Sequence, residues 1–286
     1  MNATERRQAF RAVLAGSTCV HPASVFDAIS GRIAAELGFE TAILGGSVAS
    51  LAVLGAPDHI ILTLTEFADL IRRITRAGAP PLLVDADHGY GNALSVMRTV
   101  EELETAGVAA LTIEDTLLPR PFGPDKPALL SLEEGLGKIR AALAARSDPA
   151  LVIVARTSAL SLTGVADAVA RARAYAEAGA DGIFITGLTD LAQLDALREA
   201  TGLPILVGNA KAGLGGAAAF AAHGGRVALQ GHATFPAAMQ AVHDTLKALR
   251  DGTAPKDLRG LPDNAATKRW QRDDQYDAAI KDFLGG

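Results

Sequence analysis

The stretch PLLVDADHGYGNALSVMRTVEELETAGVAALTIED, residues 81–115, holds one complete structural repeat. An apolar run ends in two aspartates, a helical pattern follows over residues 92–106, and Gly107 precedes a second apolar run ending in Glu114 and Asp115. Strand-length apolar runs alternating with helical patterns are the mark of a βαβ unit. Both runs are continuously apolar rather than alternating, as expected for a parallel sheet buried on both faces.

The same rhythm extends both ways. Upstream lie runs at 19–26, followed by a helix over 27–37, and at 41–46, followed by a helical stretch reaching Ala77. Downstream, a long Pro-rich loop leads to a helix over 131–146. Runs at 151–157, 182–187, 204–208 and 226–231 are then followed by helical patterns at 165–178, 190–200, a short Ala-rich stretch, and 232–250. That makes eight strands. Six helix ends read ELGFE, RAGAP, TAGVA, EAGAD, TGLP and AHGGR, each with glycine at the stop, where left-handed backbone is disfavoured for other residues. A doubly wound sheet shares this pattern, but eight regular units without a GxGxxG fingerprint favour closure into a (β/α)₈ TIM-type barrel. A chain of 286 residues suits one such barrel, which needs about 250 residues. The barrel is expected over residues 1–250. Residues 251–286 then form an extra arm: a Pro/Gly-rich linker, DGTAPKDLRGLPD, and a final helix over 264–284 carrying Trp270, Tyr276 and Phe283. That helix packs either on a neighbouring subunit or on its own barrel.

Composition narrows the class. The net charge is −5 and no basic run is present, so there is no footprint for nucleic acid. The one cysteine, Cys19, excludes an intramolecular disulfide and a cysteine-rich zinc site, and suits a reducing cytoplasm. The N-terminus reads as an amphipathic helix without the apolar core of a secretory signal. The longest weakly polar run, 41–56, is shorter than the roughly 20 residues of a membrane helix. A soluble, cytoplasmic enzyme is the expectation, with no membrane or nucleic-acid partner.

Active sites of such barrels lie at the C-terminal ends of the strands. Those ends read Gly45-Gly46-Ser47, Asp85-Ala86-Asp87-His88, Glu114-Asp115, Arg156-Thr157, Asn209, and Gln230 with His232. Four carboxylates, one arginine and two histidines are thus expected at one mouth. Strand alternation sends Asp85 and Asp87 to the same side, where two negative charges call for a cation or a shared proton. With Glu114 they offer the all-oxygen donor set of Mg²⁺, or alternatively Mn²⁺; the competing reading is an Asp–Arg network bracing the barrel. Zinc through His21, His88 and His232 lacks a supporting spacing. His232 is either a helix cap or a hydrogen-bond donor or acid facing the substrate. Arg156 is expected to grip a carboxylate, from the substrate or from the acidic set. Gly45, Gly46 and Ser47 present amides suited to an anion, or Ser47 caps a helix; both readings can hold together. A metal, an arginine and an amide cradle together suit a small 2-oxo acid, whose enolate they can stabilise.

ILGGSVAS (43–50), VDADHGYGN (84–92), TIEDTLLP (112–119) and VART (154–157) resemble the isocitrate lyase/phosphoenolpyruvate mutase superfamily. DADHGYGNALSVMRTVEELE, AALTIEDTLLP and the GHA at 231–233 look most similar to its oxaloacetate decarboxylase branch. The resemblance implies that Asp85 binds Mg²⁺ with Asp87 and Glu114 assisting through water. Ser47 and Arg156 would contact the substrate carboxylate, the Gly45 and Gly46 amides would lie near the 2-oxo group, and His232 would be a branch-specific substrate contact. It further implies oxaloacetate decarboxylation to pyruvate and CO₂ without an organic cofactor, and a homodimer or homotetramer that exchanges a C-terminal helix. The alternatives are a 2-methylisocitrate-type lyase, a phosphonopyruvate hydrolase, a phosphonomutase, or a non-catalytic 2-oxo acid binder. Superfamily lyases acting on 2-methylisocitrate or isocitrate carry a lid cysteine in a KKCGH-like motif; the loop here, TLLPRPFGPDKPALL (116–130), has neither cysteine nor histidine. The segments 157–164 and 209–213 depart from the family pattern, which leaves substrate preference open at the mouth.

Overall fold

The computed structural model describes residues 1–123 and 126–285, which form two compact units, Met1–Gly231 and His232–Gly286. In the first, eight parallel strands run in sequence order: β1 (Ala23–Ser24), β2 (Ala42–Leu44), β3 (Leu82–Asp85), β4 (Ala110–Glu114), β5 (Val152–Thr157), β6 (Gly182–Thr186), β7 (Ile205–Gly208) and β8 (Gly225–Ala228). A parallel bridge between Val20 and Val227 closes the ring, with Val20 N–H donating to Arg226 O and Ala228 N–H donating to Val20 O, both at 2.9 Å. The eight-stranded barrel expectation holds.

The unit's helices are α1 (Ala3–Ala15), α2 (Ala28–Glu36), α3 (Gly46–Leu54), α4 (Leu64–Arg76), α5 (Ala93–Thr105), α6 (Leu132–Ala145), α7 (Ala159–Leu162), α8 (Val165–Glu177), α9 (Leu191–Thr201) and α10 (Gly216–Ala222). The helical stretch expected up to Ala77 is two helices, because Pro57 and the capping box of Thr63 and Glu66 break it.

Helix α1 sets which end of the barrel is open. Phe10 and Leu14 insert among the inward residues Ile43, Leu83, Ala110, Val152, Val154, Phe184, Leu206 and Val227. Buried Arg7 donates to Val108 O (3.1 Å) and Glu104 O (2.7 Å), and Arg11 to Ala150 O (2.8 Å), all just ahead of strands β4 and β5. The N-terminal end is therefore plugged. The inward residues also fix the parity of each strand: two positions beyond Leu83 comes Asp85, two beyond Val154 comes Arg156, and four beyond Ala110 comes Glu114.

In the second unit, α11 (Thr234–Arg250) is followed by a 3-10 turn (Pro255–Asp257), α12 (Asn264–Gln271) and α13 (Asp273–Leu284). The expectation ended the barrel after Arg250, but by contacts α11 groups with the tail. The final helix is broken by left-handed Arg272, φ 63°. None of the three helices has a buried residue. On α11 the exposed Met239, Val242, Leu246 and Leu249 recur at alternating spacings of three and four, and α13 exposes Tyr276, Ile280 and Phe283. No helix is long and apolar enough to cross a membrane among the described residues.

Candidate active site

A recess of about 450 Å³ in the first unit is lined by Asp58, His59, Ile60, Asp85, Asp87, Glu114, Leu118, Pro119, Arg120 and Arg156. Strand register builds its floor. Asp85 lies beside Thr112, and Glu114 beside Arg156, on neighbouring strands. Arg156 forms an ion pair with Asp85, and its Nε lies 3.0 Å from Glu114 Oε2. Its guanidinium also stands over the Phe184 ring, 5.4 Å from the centroid, a cation–π contact. Thr112 Oγ1 donates to Asp85 at 3.0 Å.

Asp85 and Asp87 do share one space, but not through strand alternation. Strand β3 ends at Asp85, and Asp87 returns to the recess through left-handed backbone, φ 47°. Its N–H reaches back to Asp85 Oδ1 at 3.3 Å. Gly46 backs the Asp87 carboxylate so closely that a Cβ there would lie 2.9 Å from both oxygens. Gly46 is thus needed for close approach.

Charge is unevenly met. Burial opposes ionisation of Asp85, but the charge and hydrogen bond of Arg156, with Thr112, hold its carboxyl below the usual range. Burial, with Asp85, Asp58 and Glu114 nearby, pushes Asp87 well above it. Burial, then Asp85 and Asp115 against Arg156, lifts Glu114 to about 7. Asp58 belongs to an exposed segment, yet partial desolvation and Asp85 raise its carboxyl too. Four carboxylates around one inner arginine make a negative excess that a hard divalent cation would relieve. Among the described residues no three Asp, Glu, His or Cys side chains are already drawn to ligand distance, and Arg156 holds the Asp85 carboxylate. The donor set fits a cation, and the Asp–Arg network of the competing reading is also present.

Other expected residues fall as follows. Gly45 is the N-cap of α3, so Gly46 and Ser47 are its first two residues and Ser47 does not cap it. The first amides of an α-helix have no partner within the helix, and the anion reading of Gly45, Gly46 and Ser47 rests on that feature of α3. His232 belongs to the second unit, just ahead of the α11 N-cap Ala233. Asp115 is a correction. One residue out of parity with Glu114, it points away from the mouth to Arg171 Nη1 (3.0 Å) and Tyr175 Oη (2.7 Å) on α8. His88 is a second correction: it is buried, its carbonyl accepts from Lys138 Nζ at 2.9 Å, and burial lowers its pKa to about 4. His21 Nδ1 lies 2.7 Å from Ala228 O. Neither lines the recess, so the zinc alternative gains nothing. The departing segments are built locally: 157–164 contains α7, with Thr186 Oγ1 donating to Ser158 Oγ at 3.1 Å, and Asn209 is left-handed, φ 51°.

Three polar lining residues were not named as site residues from the sequence, namely Asp58, His59 and Arg120. They sit in loops beyond strands two and four, where position along a strand gives no guide; the polar pair after Pro57, in a loop on the active face, was the available signal. The loop over β4 starts as an antiparallel bridge between Thr116 and Leu129, with Leu117 N–H donating to Ala128 O at 2.8 Å. Pro124 and Asp125 of that loop lie outside the described residues.

The phosphoenolpyruvate phosphomutase family profile matches residues 10–250. The chain is 57% identical over 279 residues to an oxaloacetate decarboxylase of Bradyrhizobium sp. (strain BTAi1), covering 98% of this chain and 97% of that one. It is 55% identical over 280 residues, with the same coverage, to an oxaloacetate decarboxylase of Rhodopseudomonas palustris (strain BisA53). Among solved structures it is similar to an oxaloacetate acetylhydrolase in complex with 3,3-difluorooxalacetate, at TM-score 0.85 and 30% identity, covering 100% and 99% of the two chains. It is also similar to a phosphonopyruvate hydrolase complexed with oxalate and Mg²⁺, at TM-score 0.84 and 30% identity, covering 99% and 100%.

Proposed function

Because the chain belongs to the phosphoenolpyruvate phosphomutase family, we propose that it is an enzyme that decarboxylates oxaloacetate to pyruvate and CO₂. Near full-length relatedness to oxaloacetate decarboxylases supports the substrate. The observation that carries the chemistry is the inward row of Asp85, Glu114 and Arg156, joined by Asp87, at the open end of the barrel. In this reading Asp85 holds Mg²⁺, with Asp87 and Glu114 assisting through water. Such an ion would supply Lewis-acid polarisation of the 2-oxo group. Arg156 and Ser47 would hold the substrate carboxylate, and the amides of the N-cap Gly45 and of Gly46 would lie near the 2-oxo group. His232 keeps the substrate-contact role on the strength of the sequence resemblance alone.

The testing experiment offers the protein Mg²⁺ with oxaloacetate, its 3-alkyl derivatives, phosphonopyruvate, 2-methylisocitrate and isocitrate. Pyruvate from oxaloacetate is expected, with no significant cleavage of the last two, since the loop 116–130 has no cysteine or histidine to protonate a departing carboxylate fragment. Glyoxylate or succinate released as fast as pyruvate would overturn this reading.

Arg156→Ala is expected to weaken binding of oxalate, a planar mimic of the pyruvate enolate. Loss of a charged hydrogen-bond partner costs about 1.5–3 kcal/mol, so affinity should fall roughly ten- to a hundredfold. Unchanged affinity by calorimetry would make Arg156 purely structural.

The exposed rows on α11 and α13 support a homodimer or homotetramer in which the C-terminal arm packs on a neighbouring subunit. Deleting residues 255–286 is then expected to lower the mass seen in sedimentation while Mg²⁺ binding persists. A truncated protein of native assembly state and stability would rule the exchange out.

A further inference from the structure

The segment joining α3 to α4 is folded back on itself. His59 N–H donates to Pro57 O at 3.0 Å, and Ser50 Oγ, buried on α3, lies 3.0 and 3.1 Å from the carbonyls of Ala56 and Pro57, to which it can donate. Ile60 is left-handed, with φ 58°. A β-branched residue is poorly suited to that conformation, and a connection between two helices does not require it. Such outliers persist where surrounding contacts enforce them, and they cluster at reactive sites. Here the kink sets Asp58, His59 and Ile60 in the wall of the recess with Asp85, Asp87, Glu114 and Arg156.

His59 is the one histidine among those lining residues; His21, His88 and His223 lie elsewhere in the unit. It is also exposed, so it stands between the recess and bulk water. Imidazole is suited to passing one proton inward and regaining one from solvent. The floor carboxylates Asp85, Asp87 and Glu114 are engaged with Arg156 or crowded by one another, and none is as open to water; Asp58 is the exposed carboxyl group in this wall, beside His59.

We propose that His59 gives the proton to C3 after CO₂ has left, a step that rests on the decarboxylase reading above. When the C3–C4 bond of oxaloacetate breaks, its electron pair becomes the C2–C3 double bond of the pyruvate enolate, the carbonyl pair moves onto the 2-oxygen, and CO₂ departs neutral. A ring N–H of His59 then protonates C3. The enolate double-bond pair forms the new C–H bond, the 2-oxygen regains its carbonyl bond, and the N–H electrons stay on the imidazole, which water reprotonates.

Pyruvate offers the same step in both directions, as loss and return of a methyl proton. With Mg²⁺ in D₂O, the wild-type protein is expected to wash deuterium into the pyruvate methyl group, followed by proton NMR. His59→Gln is expected to slow this exchange about a hundredfold while changing oxalate affinity by less than about twofold, and added imidazole should restore part of the exchange. Undiminished exchange in His59→Gln would overturn the proposal and assign the proton to another donor. So would parallel loss of oxalate binding, which would make His59 a binding group, or a wild-type protein that decarboxylates oxaloacetate yet leaves the pyruvate methyl unexchanged. A wild-type protein that releases no pyruvate from oxaloacetate fails earlier, at the decarboxylase reading itself, and takes this proposal with it.

Discussion

Asp85→Ala is expected to lose metal-dependent pyruvate release by at least about a thousandfold, the scale of charge stabilisation that a bound cation supplies. The barrel should stay folded. Asp85 touches Arg156, Thr112 and the Asp87 amide at the open end rather than packing in the interior. Removing it still leaves Arg156 beside Glu114, so no buried charge is stranded. Circular dichroism and thermal unfolding should therefore change little. Chelation by EDTA should reproduce the loss in the wild-type protein, and added Mg²⁺ should reverse it. Full turnover by Asp85→Ala, or by metal-free protein, would remove Asp85 from the site.

Arg171→Ala should show the reverse pattern, with stability lost while the active-site groups stay in place. Asp115 is 2% exposed, and its carboxylate depends on Arg171 and Tyr175. Gly135 on α6 makes room for this cluster, since a Cβ there would lie 2.4 Å from the Tyr175 hydroxyl. Removing one partner of a buried ion pair strands the other, at about 3–5 kcal/mol. For a chain of this size that is roughly a 10 °C fall in Tm. The double change Asp115→Asn with Arg171→Met, which removes both charges, should recover part of it. A single variant as stable as the wild type would show that Asp115 does not need Arg171.

The contrast between these two aspartates shows what the sequence could and could not convey. Eight strands, their order and their active ends follow from apolar runs and helix-stop glycines, and so does the position of Asp85, Glu114 and Arg156. Position at a strand end alone does not place Asp115: the inward series from Ala110 through Thr112 to Glu114 sends the next residue outward to α8. Asp87 reached the recess for a reason the sequence did not display, a left-handed turn after the strand. Asp58 and His59 were illegible because a loop that doubles back places residues by its internal hydrogen bonds, not by any period. The break at Arg272 was hidden likewise, since both flanking segments read as helix.

The second unit has a property that its helical pattern conceals. An arm in which α11, α12 and α13 bury no residue lacks an interior of its own. Helices in water draw most of their stability from packing, so the order of this arm must be borrowed from whatever covers it. Amide hydrogen exchange should resolve the chain into two cooperative layers, with barrel strands protected to the limit of global unfolding and arm amides opening independently. Should the arm pack on a neighbouring subunit, as proposed, its protection would rise with protein concentration while that of the barrel stays constant, and these amides would act as a built-in gauge of self-association.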